Sequence, residues 1–157
     1  MEYYFLARVV HVLAVVLWIG GVAMVTTVLL PAVKRFKSDT ERVAFFEKVE
    51  ARFAWQARIT TLLAGLSGFY MLDVVGWQRL TMIEYWWIHA MIVVWLIFTL
   101  MLFVFEPLFL HRWLHARAER APGSTFRLVQ GLHWFLLVIS LITIAGAVAG
   151  SHGWFWI

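Results

Sequence analysis

Histidines inside long apolar stretches are the residues of this sequence best suited to chemistry. An ionisable side chain is costly within a membrane and is therefore a functional candidate by default. A buried neutral imidazole is a good ligand for haem iron, copper or zinc. The ionisable residues in or beside apolar stretches are Arg8, His11, Arg58, His89, Glu106, His111, His115, His133 and His152. The chain has no cysteine, which excludes disulfides, thiolate metal sites and thiol catalysis.

Four apolar stretches must position these residues. The chain has 157 residues, of which 63% are hydrophobic and 14% are charged, a composition far more apolar than that of soluble domains. The stretches cover residues 3–31, 53–75, 85–113 and 128–150, and each is long enough to cross a bilayer as a helix. Their hydrophobicity is continuous and does not alternate, which argues against membrane strands. We predict an all-α fold, a single transmembrane four-helix bundle, and exclude a soluble enzyme and a nucleic-acid-binding module.

Basic residues are concentrated in two of the three connections. Seven lie within residues 31–58 and four within residues 106–127, whereas residues 73–88 contain only Arg79. By the positive-inside rule the first and third connections face the cytoplasm. We therefore expect a multi-pass protein of the cytoplasmic (inner) membrane with both termini on the outer side. The first stretch lacks a basic start and a cleavage site, so we expect it to be retained as a helix.

The first cytoplasmic connection contains a helix signal of its own. Ser38 followed three residues later by Glu41 is the pattern of a capping box. Apolar residues then recur at helical spacing among charges, at Val43, Phe46, Val49 and Phe53. We predict a short amphipathic helix that runs into the second span.

Two of the histidines lie at matching depth in different spans. At 1.5 Å per residue, His11 lies roughly 12 Å into the first span and His89 about 8 Å into the third, both from the outer side. A haem with two axial histidines requires such a pair, so we predict His11 and His89 as metal ligands of haem b. Arg8, one turn outward of His11, is placed to bind a haem propionate, and Trp18 to line the pocket. His152, at the outer end of the fourth span, is the substitute ligand for His89.

Other interpretations of these residues remain open. Copper is the competing metal, since thioether suits Cu(I) and three methionines lie toward the outer side at Met71, Met82 and Met91. His133 with His111 or His115 could form a second haem site on the cytoplasmic side. Glu106, next to a proline that loosens the third helix, is expected either to pair with Arg58 or to stay protonated. A cofactor-free small subunit of a larger membrane complex is the third possibility.

The first span resembles the first helix of the HemJ and CopD-like membrane proteins. The resemblance is carried by Arg8-Val9-Val10-His11, Leu17-Trp18-Ile19-Gly20-Gly21 and Pro31. It implies a small helical bundle with a haem or copper site built around His11. HemJ-type proteins are linked to protoporphyrinogen oxidation and haem binding, and CopD-like proteins to copper uptake. Where HemJ-type proteins have Lys-x-x-His, this chain has Arg8-x-x-His11, and His89 stands where they carry a lysine in the third span. These differences favour a plain bis-histidine haem over porphyrinogen chemistry.

The function that we predict from the sequence is that of an integral membrane b-type haem protein. It would pass electrons between a quinone or soluble donor and a redox partner within the lipid bilayer. A homo-oligomer or a larger membrane complex is compatible with this role, and no nucleic-acid partner is expected.

Overall fold

The computed structural model describes residues 2–36 and 38–154, nearly all of them helical. The α-helices are α1 (Glu2–Met24), α2 (Leu30–Phe36), α3 (Asp39–Val75), α4 (Trp86–Leu100), α5 (His111–Arg120) and α6 (Pro122–Ser151). The π-helical segments Val25–Leu29 and Met101–Leu110 join α1 to α2 and α4 to α5. Two short 3-10 turns, Trp77–Thr81 and Ile83–Tyr85, lead from α3 to α4. The described residues contain no strand, which confirms the predicted all-α fold.

Four helical stretches are long and apolar enough to cross a membrane. They cover Glu2–Arg35, Ala51–Val75, Ile83–Leu108 and Gly123–Ser151, close to the predicted spans. The protein is therefore a multi-pass membrane protein. Because consecutive spans alternate in direction, both described ends of the chain and the 3-10 turns lie at the same end of the bundle.

The predicted capping box and the continuation of its helix are both present. Glu41 accepts hydrogen bonds from the backbone N–H of Ser38 at 3.2 Å and from its hydroxyl at 2.8 Å. Helix α3 then runs without a break into the second span and ends before Gly76. Gly76 has a φ of 103°, a conformation that glycine adopts without strain. The side chains of Val43 and Phe46 lie outside the described part of the chain.

Rings packed onto glycines hold the four spanning helices together. The most extensive contacts are those of α1 with α3 and of α4 with α6. At each of five glycines an added Cβ would meet a ring of another helix, and the pairs are Gly21 with Phe53, Gly65 with Trp95, Gly68 with His11, Gly146 with Trp86 and Gly150 with Trp87. The glycines therefore make room for aromatic and imidazole rings of a neighbouring helix, and they also allow the helices to approach one another closely.

The π-helical segment of the third span is tied to α3 by an arginine. In a π-helix the partner of the Leu102 carbonyl is the N–H of residue 107, and Pro107 has none. Arg58 Nε donates to this carbonyl at 3.1 Å, and Arg58 Nη2 lies 3.1 Å from Glu106 Oε2. The predicted pairing of Arg58 with Glu106 is confirmed. The Arg58 side chain also supplies a donor to the Leu102 carbonyl, which has no backbone donor because Pro107 lacks an N–H.

Candidate functional site

The His11 ring of α1 is held by the backbone of α3. Its Nδ1 atom lies 2.9 Å from the Ala64 carbonyl oxygen and 3.2 Å from Ser67 Oγ. The Ser67 hydroxyl donates to the Leu63 carbonyl, so its oxygen is left to accept from the ring. The His11 side chain is half-buried. Its position is therefore defined by two contacts with a neighbouring helix.

These contacts determine which ring nitrogen of His11 can bind a metal. A carbonyl oxygen only accepts, so Nδ1 must carry the hydrogen that it donates to Ala64. In the neutral ring the lone pair is then on Nε2. Histidines that ligate metals usually donate their other N–H to a backbone carbonyl or a carboxylate, because this fixes the tautomer and the ring orientation. His11 therefore has the tautomer of an Nε2 ligand.

The close approach of the ring depends on small residues of α3. A Cβ on Gly68 would lie 3.1 Å from Cε1 and 3.3 Å from Nδ1 of His11. Ala64 is also buried, at 3% exposure. A side chain at position 68 would therefore require the ring to shift by a few tenths of an ångström. The residues that hold His11 were not predicted from the sequence, although Ala64 and Gly68 belong to a visible run of small residues.

His89 is held in a different way, close to the start of α4. Its Nε2 atom lies 2.9 Å from the Leu80 carbonyl oxygen, in the turn Trp77–Thr81. This nitrogen therefore carries the hydrogen, and the lone pair is on Nδ1. The bond connects the turn to the helix. The structure shows His11 bonded to α3 and His89 bonded to this turn, so the second-ligand role of His89 stays a prediction. It requires the ring to leave the Leu80 carbonyl or to ligate through Nδ1.

The other three predicted site residues lie at different levels of the bundle. Arg8 is exposed one turn outward of His11, and no hydrogen-bond or ion-pair partner is found for it among the described residues. Trp18 lies in the core, 4% exposed, with its ring 4.8 Å from that of Phe98 in an edge-to-face contact. His152 is exposed directly after α6 and donates from Nδ1 to the Val148 carbonyl at 2.8 Å. Their proposed roles toward a cofactor stay predictions.

Of the histidines in the other group, only His133 has a described side chain, so the second haem site stays a prediction. His133 bonds through Nδ1 to the Val129 carbonyl of its own helix at 2.9 Å. The side chains of His111 and His115 lie outside the described part of the chain. Among the side chains that the structure describes, no three from His, Asp or Glu come together as a metal group. A haem needs only one or two axial ligands, and His11 fits that requirement.

The chain is similar along nearly its whole length to a protoporphyrinogen IX oxidase from Cereibacter sphaeroides. The two sequences are 26% identical over 165 aligned positions, which cover 98% of this chain and 88% of the relative. No known family model and no solved structure matches the chain. This similarity supports in part the resemblance between the first span and HemJ-type proteins, because those proteins are linked to protoporphyrinogen oxidation.

Proposed function

We propose that this protein is a haem-binding oxidoreductase of the haem pathway in the cytoplasmic membrane, with His11 as its central residue. The observation that supports the proposal most directly is the bond from His11 Nδ1 to the Ala64 carbonyl. This bond leaves Nε2 with the lone pair that haem iron requires. The haem would supply one-electron redox chemistry, and the protein would determine the orientation and environment of the group.

Residues near the outer end of the first span would bind the rest of the haem. Arg8 lies three residues before His11 on α1, and its guanidinium is suited to a propionate carboxylate. His89 is the first candidate for a second axial ligand and His152 the alternative. Because both of these rings donate to backbone carbonyls, recruiting either one through the donating nitrogen would break a hydrogen bond. A haem with His11 as its one protein ligand needs no such change.

In contrast to the expectation from Arg8 and His89, the reaction that we favour is the oxidation of protoporphyrinogen IX. It is suggested by the name of the Cereibacter relative, a protoporphyrinogen IX oxidase that aligns with 98% of this chain. The electrons and protons removed from the porphyrinogen would pass to a quinone or a protein redox partner. The change from Lys-x-x-His to Arg8-x-x-His11 keeps a positive charge one turn from the histidine.

Visible spectroscopy of the purified protein tests haem binding. We expect a Soret band with sharp α and β bands on reduction, and loss of these bands in His11→Ala. His133→Ala is the matched control, because His133 lies in the first half of α6, toward the opposite end of the bundle from His11, and it should keep the spectrum. A colourless wild-type protein that binds Cu(I) stoichiometrically would overturn the haem assignment in favour of copper. A colourless protein that purifies with other chains would favour a cofactor-free subunit.

The reaction is tested separately, by protoporphyrin fluorescence. Membranes that contain the wild-type protein should convert protoporphyrinogen IX to protoporphyrin IX faster than control membranes, and His11→Ala should abolish the increase. A haem-loaded protein without this activity would leave the haem assignment standing and remove the proposed reaction.

A further inference from the structure

Two polar side-chain atoms in the middle of the bundle have no hydrogen-bond partner among the described residues. They are Nε1 of Trp18 and Oγ1 of Thr61. Trp18 is 4% exposed and Thr61 is 0% exposed. A buried polar group without a partner costs free energy, and such groups are rare in native proteins. Two of them in neighbouring helices therefore need a common explanation.

Thr61 differs from the other membrane-embedded threonines of the described chain. The usual arrangement is a hydroxyl that donates to the carbonyl four residues earlier, as in Thr26, Thr27, Thr60, Thr99, Thr125 and Thr143. The Thr61 hydroxyl makes no such bond, although its backbone carbonyl accepts the indole N–H of Trp95 at 2.9 Å. The hydroxyl of Thr61 is thus free to bond to something outside its own helix.

The contacts between the helices place Trp18 and Thr61 in the same part of the bundle, inward of His11. On α3, Thr61 lies between Ala64, which accepts from His11, and Gln56, which donates to the Leu17 carbonyl at 3.3 Å. On α1, Trp18 directly follows Leu17, and helical side chains lean toward the N-terminus of their helix. The indole of Trp18 therefore extends toward the level of Thr61.

Helix α4 closes the third side of this region. The Trp18 ring contacts Phe98 of α4 edge to face, and Trp95 of the same helix bonds to the Thr61 carbonyl. Phe98 is itself buried, at 5% exposure. Trp18 and Thr61 thus both contribute to the region where α1, α3 and α4 meet, inward of His11.

We propose that Trp18 Nε1 and Thr61 Oγ1 together bind an acceptor oxygen of a molecule that is not part of the chain. An indole N–H can only donate, so the bound atom must be an acceptor, and the Thr61 hydroxyl can donate to it as well. The two sources of such an oxygen that we consider are a buried water and a quinone, which would bind through its carbonyl. A water suits a closed polar site with several partners. This inference goes beyond the proposed function, because it does not depend on haem at His11.

A double-mutant cycle on the full-length protein tests the shared site. Thr61→Val keeps the shape of the side chain and removes the hydroxyl, and Trp18→Phe removes the N–H. If the atoms share a bound oxygen, Thr61→Val lowers the melting temperature by about 2–4 °C. In the Trp18→Phe background Thr61→Val should lower the melting temperature clearly less, because the bound oxygen has already lost the indole donor.

The matched control is Thr60→Val, which removes a hydroxyl that bonds within α3. Its effect should be the same with Trp18 and with Phe at position 18. A Thr61→Val protein that is as stable as the wild type or more stable would overturn the proposal, because removal of a truly unpartnered hydroxyl costs nothing. Strictly additive effects of Thr61→Val and Trp18→Phe would overturn it too.

Decylubiquinone separates the two sources of the oxygen. If a quinone carbonyl is bound, the compound should raise the melting temperature of the wild type and not that of the Trp18→Phe, Thr61→Val double variant. If the coupling is present and the quinone has no effect on the wild type, the bound oxygen belongs to water.

Discussion

The ring of His11 rests on Gly68 so closely that a Cβ added at position 68 would lie 3.1 Å from His11 Cε1. The same ring is held at 2.9 Å from the Ala64 carbonyl, one turn away on α3. The ring is therefore confined by a hydrogen bond and a steric contact on one helix.

The substitution Gly68→Ala should weaken the candidate site. The added methyl group pushes against the ring, so we expect a lower haem content per protein and a lower melting temperature. Gly20→Ala is the control, because no atom outside its own helix lies within 4 Å of the added Cβ. It should keep the haem and gain up to about 1 kcal/mol from higher helix propensity. Equal haem content in both variants would contradict the role of Gly68.

The substitution Gly65→Ala should destabilise the contact between α3 and α4. Its Cβ would lie 2.5 Å from Trp95 Nε1, so the indole must move and lose its bond to the Thr61 carbonyl. We expect a loss of about 1–3 kcal/mol, measured by thermal or denaturant unfolding in detergent. Gly131→Ala, which meets no atom within 4 Å, should be neutral or stabilising. A stable Gly65→Ala protein would mean that Trp95 has room to repack.

The substitution Arg58→Lys should destabilise the protein although it keeps the charge. Lysine has no Nε–H branch that can bond to the Leu102 carbonyl while the end of the side chain pairs with Glu106. The expected loss is about 1–3 kcal/mol. In the Pro107→Ala background the loss should be smaller, because residue 107 then has an N–H for this carbonyl. An equal loss in both backgrounds would show that the carbonyl bond contributes nothing.

Cysteine labelling should establish the orientation in the membrane. The natural sequence has no cysteine, so each introduced residue is labelled alone. In intact cells an impermeant maleimide should label Gln78→Cys, which lies in the connection with few charges. The same reagent should label Ala121→Cys, which lies between the basic helix α5 and the spanning helix α6, only after the membrane is permeabilised. The reverse pattern would place the termini in the cytoplasm.

Much of the fold follows from local features of the sequence. Each of these features is encoded by residues that are close together in the chain: the four spans, the capping box of Ser38 and Glu41, and the loosening at Pro107. The pairing of Arg58 with Glu106 was predicted because both charges lie in apolar stretches and each needs a partner there.

The candidate site was only partly predictable. The sequence identified His11 as a ligand candidate because an imidazole is unusual in an apolar helix. Its partners Ala64, Ser67 and Gly68 carry no chemical signal of their own, since a backbone carbonyl and a missing side chain can be found only from helix packing. For His89, depth in the membrane predicted a partner across the bundle, and the structure shows a bond to Leu80, nine residues away.

The sequence by itself determined the class of the protein, because hydrophobicity, charge asymmetry and helix caps act over short distances along the chain. Only the tertiary structure decided which nitrogen of His11 holds the lone pair and which rings pack against the glycines. It also decided that Trp18 Nε1 and Thr61 Oγ1 have no hydrogen-bond partner among the described residues. These properties depend on the rotation and register of one helix against another. Packing sets them among residues that are far apart in the chain.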